Sequence, residues 1–166
     1  MKRNLAVLVV VLTVLASAGA GVGAWLALRD HGAQAPQISV YSNRHLVRVG
    51  PYFTCEVLDL TDCQTPKDQG ELPVTERGVV QLGVPEAIGA APWRLLEVYQ
   101  DGETARTFRS GSRLAVTIPT VDPHLGRLNG IAVQLLTVIA LPDGQLASAA
   151  HAEWSVAMVW PDAVTP

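Results

Sequence analysis

Apolar and polar residues alternate along most of this chain in short runs, and one stretch near the start replaces alternation with an unbroken apolar block. Nine runs read as strands: "QISVY", "RHLVRV", "YFTCEV", "VVQLGV", "WRLLEVYQ", "TARTF", "RLAVTI", "GIAVQLLTVIAL" and "AEWSVAMVW". They are rich in β-branched and aromatic residues, and turn formers such as Gly50-Pro51, Asp101-Gly102, Asp122-Pro123 and Pro142-Asp143-Gly144 separate them. Seven to nine strands at this spacing predict an all-β fold, an immunoglobulin-like antiparallel β-sandwich over residues 37–161. Outside the leading block, helical character is confined to "VPEAIGAAP", residues 84–92, where two prolines leave room for about two turns and Pro85 fits the first turn.

Period two assigns the core. Trp154, Val156, Met158 and Trp160 share one face of the last strand, and Leu114, Val116 and Ile118 share one face of theirs, so both sets are expected to be buried. The penultimate run differs. Ile131, Val133, Leu135, Ile139 and Leu141 fill one face, yet Leu136 and Val138 stand on the other beside Ala132 and Ala140. A strand apolar on both faces is either central in a covered sheet or meets something else, which makes Leu136 and Val138 a candidate partner surface.

The leading block, "LAVLVVVLTVLASAGAGVGAWLAL" at residues 5–28, carries no charge over 24 residues. As a helix it reaches roughly 36 Å, more than the roughly 30 Å of a bilayer's hydrocarbon core. Lys2 and Arg3 precede it, so the positive-inside bias places the N-terminus in the cytoplasm and the rest outside the cytoplasmic membrane, as a single-pass protein. The organisation read from this is an anchor over 1–29, a tether over 30–36, the sandwich over 37–161 and a tail over 162–166. A cleaved signal peptide is the alternative, with small-residue cleavage sites between Ala16 and Ala20. Gly19 and Gly23 form a GxxxG pair, whose small side chains would let a second membrane helix pack closely.

That compartment bears on "CEVLDLTDC", which holds both cysteines. Outside the membrane thiols tend to be oxidised, so a Cys55–Cys63 disulfide is favoured over a metal clip or a redox pair. Zinc needs about four ligands and no histidine is adjacent, a redox pair usually has C-x-x-C spacing, and Glu56, Asp59 and Asp62 lack the pattern of a calcium loop. From Asp30 onward fifteen Asp/Glu face nine Lys/Arg, a net of −6, which offers no footprint for nucleic acid or anionic lipid. Within that acidic segment Arg94, Arg106, Arg109 and Arg113 concentrate positive charge and form a candidate anion contact, unless they simply face solvent on alternating positions.

The sequence contains no recognisable catalytic motif. No serine lies in a GxSxG elbow, His31, His45, His124 and His151 show no metal-ligand spacing, and "GAGVG" sits within the apolar block rather than between a strand and a helix. His124 follows Asp122 in "VDPHLGRLNG", where an Asx-type turn is the cheaper explanation than an acid–base pair. No cofactor and no metal is expected.

Four stretches, "PYFTCEVLDLTDC", "VPEAIGAAPWRLLEVYQD", "SRLAVTIPTVDPHLGRLNGIAVQLLTV" and "HAEWSVAMVW", resemble the blocks of an actinobacterial family of membrane-anchored proteins known as domain of unknown function 2771. The resemblance covers residues 37–160 and implies a context, the cell envelope, without an activity or a catalytic residue. The expectation is a non-enzymatic accessory or scaffold subunit bound to an integral membrane or envelope protein. The alternatives are an extracytoplasmic carrier of lipid or glycan and, further off, an envelope hydrolase with His124 or His151 beside a carboxylate.

Overall fold

The computed structural model describes residues 13, 17, 19–23, 25, 35–57, 59–64, 68–140 and 143–161. The chain divides into two compact units, Met1–Gln34 and Ala35–Pro166. In the first, residues 13, 17, 19–23 and 25 are helical and exposed, among them Gly19 and Gly23. No helix among the described residues is long and apolar enough to cross a membrane. Most of the span expected at 5–28 lies outside the described residues.

The second unit is built of strands. All nine runs form them, as β1 (Ile38–Ser42), β2 (His45–Val49), β3 (Phe53–Glu56), β6 (Val79–Gly83), β7 (Trp93–Tyr99), β8 (Glu103–Phe108), β9 (Ala115–Pro119), β11 (Gly126–Ala140) and β12 (Leu146–Val159). Three short strands join them: β4 (Asp59–Cys63), β5 (Gly70–Pro73) and β10 (Val121–Asp122). The helix α1 occupies only Glu86–Gly89, after an extended Pro85. One sheet has the order β2-β1-β6-β9. The other runs β4-β3-β12-β11-β7-β8, with β10 on β11 and β5 lying parallel along β12. All other pairings are antiparallel, and the tight β1–β2 hairpin turns on Asn43 and Arg44, both at positive φ as a type I′ turn requires.

The buried faces of the two sheets pool into one core, as in a β-sandwich. Ile38, Val40, Val80, Leu82, Val116 and Ile118 come from the first sheet; Trp93, Leu95, Leu128, Ile131, Val133, Trp154, Val156 and Met158 come from the second. Each set repeats every second residue, as side chains on a pleated strand must, except between Leu128 and Ile131, where the β7–β11 register shifts. Trp160 is half-buried, with its indole N–H donating to the Leu128 carbonyl at 3.0 Å. Leu114 departs from expectation and is 46% exposed. β9 starts only at Ala115, so Leu114 belongs to the connection and lies over α1, where a methyl added to Gly89 would stand 2.2 Å from its Cδ2.

The disulfide is Cys55–Cys63, and the two residues are direct cross-strand partners between β3 and β4. Beyond them the register shifts, so that Glu56 faces Asp59 rather than Asp62. Closing this short loop restricts the unfolded chain by about 2.5 kcal/mol in the entropy model.

Candidate interaction surface

β11 and β12 are 15 and 14 residues long, much longer than the five to seven residues of β1, β2, β6, β7, β8 and β9. Their neighbours therefore run out first. β7 covers β11 only as far as Leu135, opposite Trp93. The next contact is a single bond, the Leu136 N–H donating to the Pro92 carbonyl at 3.2 Å. Pro92 has no N–H to return, so the ladder stops there. On the other side β3 pairs β12 only through Ala152 and Glu153. Past Ala152 the β11–β12 register slips: Leu135 faces Ala152 but Leu136 faces Ala150, which leaves His151 as the extra residue of a bulge.

Beyond the bulge, residues 136–140 and 146–150 pair only with each other among the described residues, forming a two-stranded arm about 17 Å long. Directly opposed residues project to the same side. Leu136, Val138 and Ala140 thus share one face with Ala150, Ser148 and Leu146, while Thr137 and Ile139 share the other with Ala149 and Ala147. Neither face carries a charge. Val138 is 64% exposed and Leu146 75% exposed, the two most exposed large apolar side chains of the described residues. The strand that the sequence leaves ambiguous is both things in turn: Ile131, Ala132 and Val133 are buried within the sheet, and Leu136 and Val138 lie on the arm. Leu141, at its tip, lies outside the described residues.

The arm's chemistry narrows what it can meet. Burying Val138 and Leu146 gains about 1.5–3 kcal/mol each, and the half-buried Leu136 and Ile139 gain less. Both strand edges, however, present backbone N–H and C=O groups, and each such group left without a partner in hydrocarbon costs several kcal/mol. The edges outweigh the side chains, so the arm suits a protein surface that returns hydrogen bonds better than it suits the interior of a bilayer.

The four arginines do not converge. Arg94 pairs in register with Thr107, and Leu95 with Arg106, so Arg94 and Arg106 project from opposite faces of the sheet. Arg109 and Arg113 are exposed in the connection between β8 and β9. This connection borders a surface cavity of about 410 Å³ lined by Glu86, Gly89, Ala90, Ser110, Gly111 and Leu114. Asp122 holds backbone rather than a ring, accepting from the N–H groups of His124 and Leu125 at 2.8 and 3.0 Å. The Nδ1 of His151 is buried with no hydrogen-bond partner, as is the Nε1 of Trp93, so both polar atoms stand near the root of the arm. No cluster of three or more His, Cys, Asp or Glu that could hold a metal occurs among the described residues.

The interior also holds a charged group that belongs to no motif. Glu97 shares the buried face of β7 with Trp93, Leu95 and Tyr99 and is 5% exposed. It accepts hydrogen bonds from Arg106, through Nε at 2.8 Å and through a second, shorter contact, and from the Tyr99 hydroxyl at 3.1 Å. Burial first, then the charge of Glu97 and its hydrogen bond, push the Tyr99 hydroxyl well above its ordinary value; Asp122 adds to this and Arg106 offsets part. The fold thus favours the neutral phenol. Its contribution is complete below about pH 10, where an unfolded tyrosine keeps its proton, and is lost as pH rises toward the folded value. The melting temperature should therefore fall above about pH 10, and Tyr99→Phe should flatten that fall relative to the parent. Parallel profiles would remove Tyr99 from the account.

Residues 31–159 match the family model described as protein of unknown function (DUF2771). An uncharacterized protein of Mycobacterium tuberculosis is 60% identical over 162 residues, spanning 96% of this chain and 100% of its own length. An uncharacterized protein of Mycobacterium bovis is similar to the same extent. No solved structure matches the chain significantly.

Proposed function

The chain belongs to the family described as protein of unknown function (DUF2771), and from its own residues we propose that it is a non-enzymatic accessory subunit of a membrane complex in the cell envelope. The uncharged arm of β11 and β12 carries this reading: it stands clear of a core that is complete without it, and it offers side chains and backbone edges that only a partner can use. The sandwich, immunoglobulin-like by analogy of architecture alone, serves as the display scaffold. The apolar residues 5–28 hold it to the outer side of the cytoplasmic membrane as a single span, where Gly19 and Gly23 let a partner's helix approach.

Purification of the full chain from membranes tests this. A single stoichiometric membrane protein should accompany it, and should be lost on Gly19→Leu with Gly23→Leu while the domain remains folded. A mature chain recovered free in the culture fluid, beginning near residue 21, would overturn the anchored role; so would purification with no second protein. A second reading, a carrier for an envelope lipid or glycan, is favoured by the 410 Å³ cavity bordered by the connection that carries Arg109 and Arg113, a volume in the range of small-molecule sites. Lipid extracted stoichiometrically from the purified chain, and lost on Arg109→Ala with Arg113→Ala, would support it.

A further inference from the structure

The arm is open on both edges. Because the Leu136 N–H points away from β12, toward Pro92, strand alternation turns the N–H and C=O groups of Val138 and Ala140 to the same side. Across the ladder, those of Leu146, Ser148 and Ala150 turn to the opposite edge. Exposed edges of natural sheets are usually blunted by lysine, proline, a bulge or an inward-pointing charge. Residues 136–140, Leu-Thr-Val-Ile-Ala, contain none of these. An uncharged, strongly β-forming segment left bare in this way is an aggregation hazard unless a specific strand covers it.

Charge and symmetry select that strand. The segment from Asp30 onward has a net charge of −6, so two copies repel over most of their surfaces, yet the β11 edge brings no charge to a contact with itself. The residues whose backbone groups face outward are 136, 138 and 140, and this set is symmetric about 138. Two β11 edges laid antiparallel with Val138 opposite Val138 place Leu136 opposite Ala140: the two Val138 residues exchange both bonds, and each Ala140 N–H meets the Leu136 carbonyl of the other chain, the Leu136 N–H staying with Pro92. Centring on Thr137 would oppose only Leu136 and Val138, and centring on Ile139 only Val138 and Ala140, so the Val138 axis is the one that engages all three outward residues. Pairing of β11 with β12 of another copy is a heterologous contact that leaves a further edge for a third chain, whereas the two-fold arrangement uses the same β11 edge of both chains and ends with two.

We propose that this chain forms a two-fold dimer by antiparallel pairing of its β11 edges, with Val138 on the axis. The dimer stands on the edge alone and does not depend on the accessory role. The β11 edge is favoured over that of β12 because Leu136 and Val138 form strands more readily than Ser148 and Ala150 do.

Cysteine cross-linking of the full chain in its membranes decides the matter. Cys55 and Cys63 are bonded to each other, and no cysteine of the described residues is free, so a disulfide between chains must run through an introduced thiol. Val138 and Ser148 face each other across the arm and are both exposed, which makes them matched probes of the two edges. Under mild oxidation Val138→Cys should give a band of twice the chain's mass, at about tenfold the yield of Ser148→Cys, since the opposed Cα atoms would lie within disulfide reach. Adding Ala140→Pro removes an N–H from the shared ladder and should lower that yield about tenfold. The melting temperature should hold, because Ala140 lies outside the core. Equal yields at positions 138 and 148, a yield indifferent to Ala140→Pro, or a Val138→Cys adduct with a chain of different mass would each overturn the dimer.

Discussion

Trp154→Ala is expected to destabilise the domain by about 3–5 kcal/mol, a large part of the 5–15 kcal/mol that holds a typical domain folded. Trp154 is 1% exposed on β12, opposite Val133 of the neighbouring β11 and within the core that the two sheets share, so its removal leaves a cavity that two sheets cannot easily close. Its indole N–H also donates to the Pro36 carbonyl at 2.7 Å, which ties the start of the domain to its last strand across 118 positions of sequence. Trp154→Phe separates the two contributions. It keeps most of the apolar volume and loses the bond, so about 1 kcal/mol is expected from the hydrogen bond, with a smaller cavity term. Urea unfolding followed by far-ultraviolet circular dichroism measures both. A loss below about 1 kcal/mol for the alanine variant would mean that the sheets collapse onto the site and that the core is not organised around this residue.

How far such a residue can be found without the fold depends on which physical rule places it. Trp154, Val156 and Met158 follow from alternation alone, because a strand with one buried face must repeat every second residue. The cysteine pair follows from compartment and spacing. Leu114 fails because alternation does not mark where a strand begins: the residue before Ala115 fits the pattern but sits in a connection, over α1. The arginines fail for a related reason. Arg94 and Arg106 look like neighbours, yet a one-residue offset in the β7–β8 register sends them to opposite faces, and register is a property of the pairing rather than of either strand. The same holds for β5, whose parallel place beside β12 has no counterpart in its four residues. The arm lies between these cases. Its apolarity is plain in the sequence, and a run of that length exceeds what its short neighbours can cover, but only the stop at Pro92 and the bulge at His151 show where coverage ends. Glu97 is legible in the same alternation. The alternation that buries Trp93, Leu95 and Tyr99 also buries the glutamate between them, and a buried carboxylate needs a cationic partner on the adjacent strand.

Arg106 is that partner, and its loss should show how costly the placement is. Removing one member of a buried pair leaves the other charge without compensation, at about 3–5 kcal/mol when both are fully enclosed. The Arg106 side chain is 43% exposed while that of Glu97 is nearly enclosed, so water can reach part of the site and about 2–3 kcal/mol is the expected loss for Arg106→Ala. The bond from the Tyr99 hydroxyl persists and softens the loss further. Replacing both charges tests whether the pair or the vacancy is responsible. Made in a Tyr99→Phe background, so that no buried hydroxyl is left without its acceptor, Glu97→Leu with Arg106→Met should recover to within about 1 kcal/mol of that background, because apolar side chains of similar volume carry no desolvation cost. The two single variants and the double variant close a cycle whose coupling should be about 1.5 kcal/mol or more. A coupling near zero would mean that each side chain is solvated independently at the edge of the sheet. Glu97 would then owe its position to the alternation of β7 and not to Arg106.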